Sequence, residues 1–253
     1  MLRKQQRSNC PRTWNAKRTQ AWLTGTHAMS ATKRLSEEGY ADLRHAMVET
    51  QIRKRGIKDE RVLQAMRSVP RHEFVPKEWK NEAYSDEALP IGEGQTISQP
   101  YIVALMCAAL HLNDNERVLE IGTGCGYQAA VLSCLAREVH TIECRAELAS
   151  AAGARLQSLR YGTVQVHRAD GSLGLVAYAP YDGIVVAAAA PHVPEPLTQQ
   201  LAEGGRMIVP VGAEEHQVLM LLTRRGEKLT TERREPCRFV PLVGRHGWKD
   251  EWI

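Results

Sequence analysis

No apolar run in this chain approaches the ~20 residues a transmembrane helix needs, although 43% of its 253 residues are hydrophobic. The six cysteines, at positions 10, 107, 125, 134, 144 and 237, form no C-x-x-C pair and have no histidines at zinc spacing. A zinc finger and a redox dithiol are therefore not expected, and no metal is. Cys107, Cys134 and Cys144 fall in apolar or helical context and are expected to be buried thiols, which points to a reducing, cytoplasmic compartment. No acid occurs in residues 1–36, which carry eight Lys or Arg; the net charge of +4 thus belongs to this stretch and leaves −4 for residues 37–253. The stretch lacks the apolar core of a secretory signal. Trp14 and Trp22 interleave with its basic residues, so it can be read as a nucleic-acid binder. The plainer reading of residues 1–37 is a disordered basic extension, or a start near Met29, with neither nucleic acid nor membrane as partner. The remainder, 38–253, is long enough to bury one sizeable core and is read as a single domain.

The most informative stretch is Val118-Leu119-Glu120-Ile121-Gly122-Thr123-Gly124-Cys125-Gly126. An apolar strand ends in an acid, three glycines follow at alternate positions, and a helix-compatible segment, Gln128 to Arg137, comes next. Glycines here let a ligand approach the backbone, with amide N–H groups and a helix N-terminus aimed at it. The spacing is E-x-G-x-G-x-G rather than the G-x-G-x-x-G of dinucleotide folds. It favours S-adenosylmethionine, which has an adenosine to grip and no pyrophosphate to neutralise. Taken alone, the loop also fits a purely structural turn.

Further strands are expected at Glu138–Ile142, Val164–Arg168, Tyr181–Val186 and Arg206–Val211, alternating with helices at Ala146–Leu159 and Glu195–Leu201. That alternation predicts a parallel, doubly wound sheet whose ligands sit at the carboxyl ends of the strands. Glu143 ends the second strand and is placed to accept from ribose hydroxyls; Asp170, with Gly171, follows the third and is placed to accept from the adenine amino group. Either acid alone reads more readily as a solvated strand end than as a ligand group; with the glycine loop, all three at successive strand ends shift the balance to the ligand reading. Ahead of the sheet, Leu43, Met47 and Ile52 keep helical spacing to a Gly56 cap, and Asp59 can cap a second helix that stops before Pro70. Arg71 to Gln99 reads as a long irregular loop, too apolar for a linker and expected to fold over the ligand cleft.

Residues 89–106, Leu-Pro-Ile-Gly-Glu-Gly-Gln-Thr-Ile-Ser-Gln-Pro-Tyr-Ile-Val-Ala-Leu-Met, resemble the hallmark segment of protein-L-isoaspartate O-methyltransferases. Arg55-Gly56-Ile57, Val69-Pro70-Arg71 with Phe74-Val75-Pro76, Ala188-Ala189-Ala190-Pro191, Gly204-Gly205-Arg206 and Arg238-Phe239-Val240-Pro241-Leu242 fit the same family in order. The resemblance spans about residues 40–243. It implies an α/β, Rossmann-like S-adenosylmethionine (SAM)-dependent methyltransferase, with an N-terminal helical segment and C-terminal antiparallel strands. The implied activity is methylation of the α-carboxyl of L-isoaspartyl residues in damaged proteins and peptides, which starts repair through a succinimide. The alternative is another carboxyl or small-molecule acceptor on the same scaffold; a non-catalytic scaffold is disfavoured by the intact motif.

Residue by residue, the resemblance makes Ser98 the active-site serine, within a substrate-binding run Thr96, Ile97, Ser98 and Gln99. It places the cofactor at Glu120, Gly122, Thr123, Gly124, Gly126, Glu143, Asp170 and Gly171. A carboxylate is already a nucleophile at neutral pH, so no general base is needed, and no Ser-His-Asp or Cys-His arrangement is evident. From position alone, Ser98 either orients the acceptor carboxylate or caps the helix entered at Pro100. Three departures from the family pattern stand out: Cys125 replaces a usual Ser, at a helix start where a thiol is expected to be acidic; Cys107-Ala108-Ala109 lacks a usual acid; and Ala169 replaces a Gly.

Overall fold

Val118 and Leu119 point to opposite faces of one strand, and that alternation divides the core in two. Val118, Val139, Val185 and Ile208 pack on one face; Leu119, Ile121, Ile142, Ile184 and Val186 pack on the other. Burying each such side chain contributes about 1.5–3 kcal/mol, and strands covered on both faces read as continuous apolar runs. The computed structural model describes residues 35–213 and 215–249. Most of residues 1–37, the basic stretch, thus lies outside the described residues.

Two strands form a small hairpin, β1 (Leu89–Gly92) and β2 (Gln95–Ile97). Seven more form the main sheet: β3 (Arg117–Ile121), β4 (Glu138–Glu143), β5 (Val164–Arg168), β6 (Tyr181–Val186), β7 (Leu201–Ala213), β8 (His216–Arg225) and β9 (Lys228–Cys237). Their order is β5-β4-β3-β6-β7-β8-β9, parallel from β5 to β7 and antiparallel at β8 and β9. The chain winds outward from β3 to β5, then returns to β6 on the other side. The gap above the β3–β6 pair is therefore the switch point at which such sheets bind ligands.

Helices α1 (Glu37–Met47), α2 (Glu60–Ser68) and α3 (Pro100–Ala109) precede the sheet; α4 (Tyr127–Ser133), α5 (Ala146–Ser158) and α6 (Glu195–Gln199) cross between strands. Ser36 Oγ accepts from Gly39 N at 3.2 Å to start α1. Asp59 Oδ1 accepts from the amides of Arg61 and Val62 at the start of α2. The expected single helix to Gly56 instead widens into a π turn over Val48–Ile52 and tightens into a 3-10 turn over Arg53–Arg55, before Gly56 ends it at φ +101°. Helix α4 stops at Ser133, short of the expected Arg137, and β7 begins five residues earlier than expected, at Leu201.

The stretch 71–99 is not irregular. It holds 3-10 turns at Arg71–Glu73 and Lys77–Glu82 and then the β1–β2 hairpin. Pro90, Gly92 and Gly94 masked the hairpin in the sequence: β1 has a register break between Pro90 and Gly92, and Glu93 turns at φ +52°. Buried side chains pin the stretch. Arg71 Nε donates to Ala83 O at 2.7 Å, Gln51 Nε2 donates to Tyr84 O at 2.8 Å, and His72 Nδ1 lies 2.7 Å from Tyr84 Oη.

Candidate active site

The cleft at the strand ends spans about 810 Å³ when the part open to solvent is counted. One wall is the sheet: Ile121 to Cys125 after β3, Ile142 to Arg145 at β4, Gly171 after β5 and Ala187 after β6. The other holds Gln95 to Ser98 from the hairpin, and Val240 to Val243 from the C-terminal segment.

Gly122, Gly124 and Gly126 all have left-handed backbone, at φ +93°, +54° and +90°. A Cβ on Gly126 would also meet Leu156 at 3.1 Å. Four amides of this turn are spent inside the protein rather than aimed at a ligand, contrary to the expectation from the glycine spacing. Gly122 N and Thr123 N donate to Ile142 O, Gly124 N donates to Glu143 Oε2 at 2.8 Å, and Gly126 N donates to Thr123 O. What the turn offers is bare backbone, which suits a ligand without phosphate.

Glu143 lies at the cleft floor. Its Oε1 accepts from Arg145 N at 3.1 Å and its Oε2 from Gly124 N, so two amides fix the carboxylate and leave Oε2 a lone pair for a hydroxyl. Gln128, nine-tenths buried and lining the cleft, has an amide Nε2 with no hydrogen-bond partner among the described residues. An orphaned buried donor is costly unless something in the cleft accepts from it. Sequence reading missed Gln128, because a glutamine in the first turn of a helix looks like ordinary helix filler.

Glu120 does not reach the cleft. It is fully buried behind the turn, where Thr141 Oγ1 donates to its Oε2 at 2.6 Å and Thr123 Oγ1 lies 2.7 Å from Thr141 Oγ1. Burial pushes its carboxyl up to about 8, with the nearby Glu143 charge adding to the rise against the Thr141 bond. Asp170 is likewise committed to the protein: Oδ1 accepts from Ser172 N and Oγ, and Oδ2 from Arg245 N at 2.8 Å. It borders a shallower hollow with Cys144, Arg168, Ala169, Val243 and Gly244, and this hollow adjoins the cleft through Cys144 and Val243. The C-terminal segment is fastened there as well, through His246 N on Ser172 Oγ and Trp248 Nε1 on Ala189 O.

Thr96, Ile97 and Ser98 line the cleft; Gln99 occupies the cap position of α3, and no side chain caps that helix. The reading of Ser98 as a helix cap is therefore overturned: a Pro at the first helical position already removes one donor. Cys125 is buried, and burial pushes its thiol up rather than down. Cys107 is buried as expected, but Cys134 and Cys144 are exposed, because the short α4 leaves Cys134 beyond its end. The hallmark stretch and the glycine turn thus meet across one cleft, with Glu143 and Gly171 between them.

A family profile described as protein-L-isoaspartate(D-aspartate) O-methyltransferase matches residues 42–247. A protein-L-isoaspartate O-methyltransferase of Roseiflexus castenholzii is 56% identical over 212 residues, covering 84% of this chain and 97% of its own. One from Methanoregula boonei is 51% identical, covering 83% of this chain and 97% of its own. Among solved structures, a protein-L-isoaspartate O-methyltransferase superposes with TM-score 0.75 at 30% identity, over 81% of this chain and 67% of its own. A Plasmodium falciparum chain solved with S-adenosyl-L-homocysteine shares the fold, with TM-score 0.68 at 23% identity over 79% of this chain and 98% of its own.

Proposed function

The chain belongs to the protein-L-isoaspartate(D-aspartate) O-methyltransferase family, and from that membership we infer that its cleft holds SAM at the strand ends and an isoaspartyl carboxylate on the hairpin. The protein is a SAM-dependent methyltransferase that esterifies the α-carboxyl of L-isoaspartyl residues in damaged proteins and peptides. The ester recloses to a succinimide, from which hydrolysis returns some normal aspartate. The observation that carries the reading is the meeting of Thr96–Ser98 with Gly122–Gly124 and Glu143 across one cleft.

The residues fit the cofactor. Glu143 keeps acceptor capacity for a ribose, the left-handed glycines leave the backbone uncovered, and Gln128 holds a spare donor inside the cleft. When bound, SAM supplies an electrophilic methyl group on a sulfonium. The protein's own work is placement. In-line approach at about 3–3.5 Å brings most of the rate, and the acceptor carboxylate needs no deprotonation at neutral pH. Ser98 donates one hydrogen bond that fixes which carboxylate oxygen faces the methyl group. Ile97 and Val103, behind it, keep water from the reacting oxygen. Glu120 sets the floor through Thr141 and Thr123 without touching the ligand. Gly171 admits the adenine edge, while Asp170 acts through the loop it ties to Arg245.

We further propose a cytoplasmic setting, supported by five unpaired cysteines among the described residues. No described helix is long and apolar enough to cross a membrane. Residues 1–37 are proposed to be dispensable for a single catalytic domain formed by residues 38–253, with nucleic acid outside the partner list.

The test is base-labile methyl incorporation from SAM into an isoaspartyl peptide, with the aspartyl isomer of the same sequence as control. An isoaspartyl residue adds a methylene to the main chain and makes the α-carboxyl a side branch, so the two isomers present their carboxylates at different distances from the backbone. Strong preference for the isoaspartyl peptide is expected. Comparable ester on both peptides points instead to another acceptor.

A further inference from the structure

His72 is wholly buried, yet its Nε2 has no hydrogen-bond partner among the described residues. The ring cannot swing to find one. It stacks on Tyr40 with centroids 3.9 Å apart and planes 11° from parallel, and its Nδ1 sits 2.7 Å from Tyr84 Oη. Nε2 is thereby aimed at one place, and two carboxylates stand there. Glu73 Oε1 is 3.3 Å away and Glu37 Oε2 is 3.6 Å away, and neither makes a hydrogen bond to it. The three atoms all lie within 4.8 Å of one another. Ligands about 2.0–2.1 Å from a shared tetrahedral ion stand about 3.3 Å apart, so the two histidine–carboxylate separations already match those around one cation.

We propose that His72 Nε2, Glu73 and Glu37 bind a divalent transition cation of the zinc class, with water in the fourth position. One imidazole and two carboxylates are a donor set suited to zinc rather than to calcium or magnesium, which prefer oxygen alone. The far nitrogen supports the assignment: ligating histidines are oriented by a bond to their other ring nitrogen, and here Tyr84 Oη serves, itself held by Arg44 Nη1 at 3.2 Å. Lys80 Nζ, 2.7 Å from Glu73 Oε1, offsets part of the carboxylate charge. No C-x-x-C or histidine spacing in the sequence could reveal the set, because Glu37 is 35 positions from His72. The ion would tie the first turn of α1 to the 3-10 turn that leads to the β1–β2 hairpin, a structural role separate from methyl transfer.

The test uses the full chain stripped with EDTA. Zinc is titrated against a competing chromophoric chelator for wild type, Glu37→Gln and His72→Gln, and Tm is read with and without equimolar zinc. Glu37 is largely exposed (82%), so its variant folds even where the buried histidine variant does not. The expected result is one wild-type zinc whose affinity falls about 10–100-fold in Glu37→Gln, with a zinc-dependent rise in Tm that the variant loses. Wild type taking up no zinc overturns the proposal, and so does equal affinity and Tm response in wild type and Glu37→Gln, which would place the ion on thiols or other histidines.

Discussion

Glu143 is fixed by backbone amides, whereas Ser98 stands on a hairpin whose base is fixed by buried side chains, and this difference separates the two walls of the cleft. On the sheet wall, Gly124 N and Arg145 N hold the Glu143 carboxylate, and Gly122 N and Thr123 N hold the turn to β4. These partners follow from strand register and turn geometry. Leading to the hairpin wall, Arg44, Gln51 and the adjacent Arg71 and His72 converge on Ala83 and Tyr84 from three places in the chain. The Arg71 guanidinium also lies 4.9 Å from the Tyr127 ring centroid, and Tyr127 faces the cleft, so the network braces the sheet wall from behind. The wall proposed to hold a constant cofactor is set by the main chain; the wall proposed to admit varied peptides rests on side-chain contacts that substitution can tune.

Breaking each wall separately sharpens the contrast. On the sheet wall, Glu143→Ala is expected to weaken calorimetric SAM affinity by about 1–3 kcal/mol, since a ribose acceptor is lost. Unchanged affinity in a folded variant would remove Glu143 from the cofactor site. On the other side, Tyr84→Phe takes away the oxygen shared by Arg44 and His72. Leaving the buried His72 Nδ1 unpaired and taking one bond from half-buried Arg44 should cost about 1–2 kcal/mol of unfolding free energy, with SAM affinity nearly intact. Equal loss in both readouts would mean that the walls are not independent.

A smaller effect concerns pH. Glu120 titrates near its usual 4.5 when unfolded, but burial raises it to about 8 in the fold. Between those values the native state holds the extra proton, so stability should fall as pH rises through that window and level off above it. Glu120→Gln keeps the shape without the titration. Denaturant unfolding at about pH 5 and about pH 8 should show a shallower fall for the variant; an identical fall would place the titration elsewhere.

The sheet wall was legible because its signals are local. Val118–Gly126, Glu143 and Gly171 fall at strand ends that periodicity predicts, and they are found there. Three features were not legible. The hairpin was hidden by Pro90, Gly92 and Gly94, residues that usually mark loops. Asp170 and Glu120 carry motif positions, yet both Asp170 oxygens are taken by Ser172 and Arg245 and Glu120 Oε2 by Thr141, partners set by tertiary packing. Gln128 has no spacing pattern of its own, and Val240–Leu242, although part of a family-like stretch, carries no sequence sign that it lines the cleft.

The most direct test of the two-wall account is Ser98→Ala, read twice on one purified protein. Ser98 lines the cleft and caps no helix, so its loss should leave Tm and calorimetric SAM affinity unchanged. Turnover on an isoaspartyl peptide should fall about 10–100-fold, the worth of one hydrogen bond to a charged group. Wild-type turnover, or a matching loss of SAM affinity, would contradict the assignment of acceptor to the hairpin wall and cofactor to the sheet wall.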